Sequence, residues 1–82
     1  MAEILVGKVT HFFDRVGVAV VELEGTLRLS DTIKIGKGEN FFEQKVGSMQ
    51  IDHKEIKEAK KGQEIGLKVE QMVRSNDLVF KL

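Results

Sequence analysis

The 82-residue sequence predicts a small all-β domain, a six-stranded antiparallel β-barrel. Three observations lead there. Short apolar runs rich in Val, Ile and Phe recur along the chain, separated by Gly, Asp, Asn and Ser. Within the runs, apolar and polar residues alternate as they do on a half-buried strand. There is no proline and no low-complexity stretch, so nothing divides the chain and residues 1–82 read as one domain.

The runs follow in order. In Ile4 to Phe13, Leu5, Gly7, Val9 and Phe13 share one parity and Val6, Lys8, Thr10 and Phe12 the other. After an Asp14-Arg15 turn, Val16 to Leu23 points Ala19, Val21 and Leu23 one way and Glu22 the other. Thr32 to Ile35 turns Ile33 and Ile35 inward and Lys34 outward. In Phe42 to Ile51, Val46 and Met49 are three apart, so strict alternation cannot bury both, and an extra residue at Gly47-Ser48 would restore register as a β-bulge. Bulges bend strands, which a small barrel needs. Glu64 to Val69 sets Ile65, Leu67 and Val69 on one face, and Leu78 to Leu82 does the same for Leu78, Phe80 and Leu82. The expected inward set is Val9, Ala19, Val21, Ile33, Ile35, Val46, Met49, Ile51, Ile65, Leu67 and Leu78.

One stretch has a different period. Asp52-His53-Lys54-Glu55, then Ile56 and Ala59, then Gly62, reads as a short capped helix docking through Ile56 and Ala59. Two turns echo each other: Leu29-Ser30-Asp31-Thr32 and Ser75-Asn76-Asp77-Leu78 each place a small polar residue and an Asp before a strand. They read as related corners, with Asn76 suited to a left-handed conformation and Ser30 less so.

Composition narrows the function. Thirteen Lys+Arg balance thirteen Asp+Glu, so no overall basic field draws the chain onto nucleic acid or an anionic membrane. The longest apolar run, Val16 to Val21, is too short to span a bilayer, and the start Met1-Ala2-Glu3 has no basic signal-like character; the expected address is cytoplasmic and the expected state a monomer. With no cysteine there is no thiolate nucleophile, disulfide or thiolate metal site. The two histidines, His11 and His53, stand without a nucleophile or a set of metal ligands at useful spacing, so no catalytic residue, metal or cofactor is expected. Gly36-Lys37-Gly38 is a turn without the span of a phosphate-cradling loop, so no GTPase chemistry is expected.

In order, Gly7-Lys8-Val9, Val16 to Val21, Leu27-Arg28-Leu29-Ser30-Asp31-Thr32-Ile33, Val46-Gly47-Ser48-Met49, Ile65-Gly66-Leu67 and Asn76-Asp77-Leu78-Val79 resemble the second domain of translation elongation factor Tu and its relatives. The resemblance covers nearly the whole chain. The sequence also resembles the C-terminal barrel of the collagenase-like peptidase family, whose members include RNA-modifying proteins. The family's Gly-Asp corners are Ser30-Asp31 and Asn76-Asp77 here, and an acid common after its central glycine is Gln63. The resemblance implies a barrel of the translation-protein type acting as a non-catalytic binding module. Its partners would be a protein or a ribosome or RNA assembly of the translation or RNA-modification machinery. The alternative is an accessory protein-interaction subunit completing a separately encoded collagenase-like peptidase or RNA-modifying enzyme.

Two sets of residues are candidates for contact. Lys54, Lys57, Lys60 and Lys61 would line one face of the short helix and meet phosphate oxygens, although Glu55 and Glu58 interleave with them. In Phe12-Phe13 and Phe41-Phe42, adjacent strand residues face opposite ways, so one ring of each pair leaves the core unless the two segments cover each other. Phe13 and Phe41 are the rings expected outside, able to stack bases or anchor a protein.

Overall fold

Strand β1 (Ile4–Phe13) organises the computed structural model, which describes residues 3–82. It carries β2 (Val18–Leu23) on one side and β10 (Leu78–Lys81) on the other. Between these lie β3 (Leu27–Arg28), β4 (Thr32–Lys37), β5 (Asn40–Lys45), β6 (Met49–Ile51), β7 (Lys54–Ile56), β8 (Glu58–Ala59) and β9 (Glu64–Lys68). Eight strands form one sheet in the order β5-β4-β10-β1-β2-β9-β6-β7, and β3 pairs with β8. Every pairing is antiparallel. The all-β class stands. The expected six-stranded barrel does not appear in that form, because the sheet is not closed: β5 and β7, its outer strands, do not pair with each other.

The bulges lie in β1 and not at Gly47-Ser48. Val6 is the extra residue against β10, and Thr10 the extra residue against β2. Each shifts the alternation by one, so Val6, Gly7 and Val9 are all buried while Leu5, Lys8, His11 and Phe13 face out. The tight approach is at Gly7, where an added Cβ would stand 2.7 Å from Val21 Cγ1 and 2.9 Å from the Glu22 carbonyl oxygen. At Gly47 a Cβ would meet nothing within 4 Å. Val46 and Met49 are both buried because residues 46–48 leave the ladder as the chain passes from β5, beside β4, to β6, beside β9.

The helix expected after Asp52 is absent. Asp52 and His53 have φ of 51° and 65° and form a two-residue type I′ hairpin loop between Ile51 and Lys54, which face each other across it. Lys57 then bends the chain between β7 and β8, so Ile56 and Ala59, three apart, both reach the core without a helix.

Most of the expected inward set is fully buried. Ile51 is half-buried against the core, and Leu78 is the exception, because Val79 takes the inward position on β10. The core also includes Val6, Leu23, Leu27, Ala59, Val69 and Val73.

The two echoing corners share one construction. The Arg28 N–H donates to Asp31 Oδ2 at 2.9 Å, and the Arg74 N–H donates to Asp77 Oδ2 at 3.0 Å. Ser30 and Asn76 have φ of 72° and 75°. Each corner also holds a buried valine by its backbone. The Ser30 N–H donates to Val46 O and the Val46 N–H to Asp31 O; the Asn76 N–H donates to Val9 O and the Val9 N–H to Asp77 O. Ser30 thus uses the same turn as Asn76.

Gln44 works where the ladder is open. It is buried, its Nε2 donates to the Lys68 carbonyl at 2.9 Å, and its Oε1 accepts the Glu70 N–H at 2.9 Å. The side-chain amide links β5 to the end of β9 in place of a strand pairing.

Candidate functional site

Cross-strand partners share a face of a sheet, so the registers lay out the exterior. On the β5-β4-β10-β1 wall, Leu5, Phe80, Lys34 and Glu43 form one row, and Lys8, Leu78, Gly36 and Phe41 the next. Leu82 continues the outward alternation of Leu78 and Phe80 and is pinned by its N–H to the Thr32 carbonyl at 3.0 Å. The wall therefore presents Leu5, Phe41, Leu78, Phe80 and Leu82 together. Leu5 is 39% and Leu82 43% exposed, while Phe41, Leu78 and Phe80 are half-buried.

Phe41 is an outward ring, as expected, but not a free one. It meets Phe80 edge-on at 6.0 Å between centroids, and Lys34 Nζ lies 4.6 Å from its centroid. The same Lys34 forms an ion pair with Glu3 at 3.2 Å, which neutralises the wall's central cation. Gly36 has no space for a side chain, since a Cβ would stand 2.8 Å from Phe41 Cα.

Phe13 is the other outward ring, at 50% exposure, packed edge-on against His11 at 4.5 Å. It does not pair with the Phe41-Phe42 segment; Phe12 and Phe42 each pack separately on the core. Phe13, Val16, Val18 and Val20 form one side of a shallow trough, Gly66 its floor, and Gln50, Asp52 and His53 the far side. Ser48 and His53 both line this trough, but they sit at opposite ends of β6, on the order of 10 Å apart at about 3.3 Å per residue. Among the described residues no hydrogen bond joins them, and no group of three His, Cys, Asp or Glu is placed to hold a metal ion.

The lysine ridge does not form. Lys54 is on β7, Lys57 at the bend before β8, and Lys60 and Lys61 in the turn before β9, all exposed. The neighbouring charges are mixed: Glu55 faces Gln50 across the β6–β7 pair, and Glu58 bonds the Arg28 guanidinium. Among the described residues no helix is long and apolar enough to cross a membrane.

Leu5, Leu78 and Phe80 were not expected as surface residues. The regular alternation of Leu78, Phe80 and Leu82 was legible, but which side it faced depended on the corner at Asn76-Asp77. A sign lay in Val79, the β-branched residue between two bulkier neighbours.

No protein-family model matches the chain. It is 43% identical over 81 residues to an uncharacterized protease of Methanocaldococcus jannaschii, covering 98% of this chain and 20% of that protein. It is 36% identical over 81 residues to a collagenase of Porphyromonas gingivalis, again covering 20% of the relative. The chain thus spans about one fifth of the curated relatives it matches. Among solved structures, the C-terminal domain of the "Geobacillus thermoleovorans putative U32 peptidase" superposes with a TM-score of 0.88, covering 95% of this chain and 91% of that one at 20% identity. Of the two resemblances read from the motifs, these findings carry the peptidase one. The chain has the fold of that C-terminal domain, and its sequence relatives are far longer proteins named as a protease and a collagenase.

Proposed function

We propose that this chain is a non-catalytic accessory module that binds to, and completes, a collagenase-like or U32-peptidase-like enzyme. The observation that carries the reading is the alignment: nearly the entire chain corresponds to a fifth of a protease, at 43% identity. A stretch so small beside its relatives is a module within a larger working unit. The residues agree with a binding role. One histidine packs edge-on against Phe13 and the other occupies a hairpin loop, while the exterior offers apolar and aromatic side chains on two separate walls. The activity and substrate then belong to the larger unit, either a peptide bond or, as the motif resemblance suggests, a modified RNA.

Association with translation or RNA-modification machinery through protein or RNA contacts is the reading from the elongation-factor motifs, with Lys54, Lys57, Lys60 and Lys61 as phosphate contacts. Affinity purification of the tagged chain from its native cell, with and without RNase, tests both. The accessory reading expects a peptidase-like polypeptide recovered equally in both arms. Recovery of ribosomal or RNA-processing components that vanish with RNase would replace it.

A further inference from the structure

We infer that the outer wall formed by Leu5, Phe41, Leu78, Phe80 and Leu82 is the face that rests against the larger body of the peptidase-like polypeptide. The inference deepens the accessory reading and rests on it. Its first support is where the chain ends lie. Ile4 pairs with Lys81 across the β1–β10 ladder, so both ends of the described chain leave from one rim of this wall. The relatives carry about four-fifths of their length outside the matching stretch. In those relatives the remaining length therefore adjoins the positions that match one or both ends of this chain, close to the positions of Leu5 and Leu82.

The second support is chemical. Leu5 and Leu82 are large apolar side chains left 39% and 43% exposed beside two half-buried aromatic rings. Such a contiguous group, with polar residues around it, is what a protein contact covers. Lys34 is paired with Glu3 and lies against Phe41, and Glu43 is its neighbour across β4 and β5. The wall therefore offers no net positive charge to phosphate, and it fits an apolar protein surface.

The Phe13 end is the natural control. Ile4 and Phe13 are the two ends of the ten-residue β1, at most about 30 Å apart at 3.3 Å per residue, and the molecule is 32 Å along its longest axis. Phe13 and Val16 thus stand toward the other end of β1 from the chain termini, and at 50% and 57% they are more exposed than the residues of the proposed wall.

The experiment places a photoreactive phenylalanine analogue at Phe80 in one version of the chain and at Phe13 in another, each irradiated in the native cell. Cross-linked partners are identified by mass spectrometry. The expected result is a cross-link from position 80 to a peptidase-like sequence, on a second polypeptide or within one longer chain, and none from position 13. A parallel Leu5→Glu variant, at an exposed position that spares the core, should lower the yield of the position-80 cross-link about tenfold or more, whether that sequence is a second polypeptide or part of one longer chain. Cross-linking from position 13 but not 80 overturns the assigned face while leaving the accessory reading intact, as does an undiminished position-80 cross-link in the Leu5→Glu variant. Absence of any peptidase-like sequence from both positions, or capture of RNA or a second copy of the chain at position 80, overturns the accessory reading and this inference together.

Discussion

Gly7 and Gly47 show how differently two glycines constrain one fold. At Gly7 a Cβ would press into both the Val21 side chain and the Glu22 backbone, and the backbone cannot yield cheaply. Gly7→Ala should lower stability by about 1–3 kcal/mol through overpacking. Gly47 faces open space, so Gly47→Val should shift stability by no more than about 0.5 kcal/mol. Urea melts of the two variants check both statements, and equal losses would mean that the bulges in β1 are misplaced. Ser30 offers a gain. It holds a left-handed conformation that costs a residue with a Cβ about 1–2 kcal/mol and glycine almost nothing. Part of that difference is offset by glycine's freedom in the unfolded chain, so Ser30→Gly should stabilise by about 0.5–1 kcal/mol, read as a melting point a few degrees higher.

Among the elements, Gln44 joins what the sheet leaves apart. Replacing it with Leu keeps the volume but strands the Lys68 carbonyl and the Glu70 N–H away from their partner. The loss should be about 1–3 kcal/mol, with hydrogen exchange accelerating first in residues 68–73, and unchanged exchange there would deny Gln44 its bridging role. This role was not visible in the sequence, where Gln44 is one polar residue in a strand-like run. Local turn chemistry was legible: the Ser30-Asp31 and Asn76-Asp77 corners repeat down to the Asp-to-backbone bonds. The inward faces of β2, β4 and β9 were legible too, because Ala19 and Val21, Ile33 and Ile35, and Ile65 and Leu67 alternate without interruption. Legibility failed where one inserted residue reversed the parity. Val6 and Thr10 in β1 each did so, and neither is a residue type that marks a bulge. It failed again at Asp52-His53, where an acid suited to a helix cap takes positive φ in a hairpin loop. Helical spacing of Ile56 and Ala59 then came from a bend at Lys57, which apolar periodicity alone cannot distinguish from a turn of helix.

For the whole molecule, the proposed contact turns on which physical force would carry it. Net charge is zero, and the four lysines between residues 54 and 61 are distributed over a strand, a bend and a turn with Glu55 and Glu58 among them. A phosphate-binding surface would make association fall steeply with salt, since each neutralised phosphate releases a counterion. Contact through the Leu5–Phe80 wall would respond weakly to salt, because Lys34 is paired with Glu3, the remaining Lys8 is balanced by Glu43 on the same wall, and its contact residues are apolar. Reversing Lys57 and Lys61 to Glu alters exposed side chains and should change stability by only about 0.5 kcal/mol. Against a peptidase-like polypeptide recovered as proposed above, that double variant should bind within about twofold of the parent, whereas Phe80→Ser should cost about 2 kcal/mol or more of binding, as a buried aromatic anchor does. Titration at two salt concentrations, with melting curves to confirm that each variant is folded, measures both. If the lysine reversal abolishes binding and the Phe80 variant retains it, the contact is electrostatic, and the loops around residues 57 and 61 become the interface in place of the apolar wall.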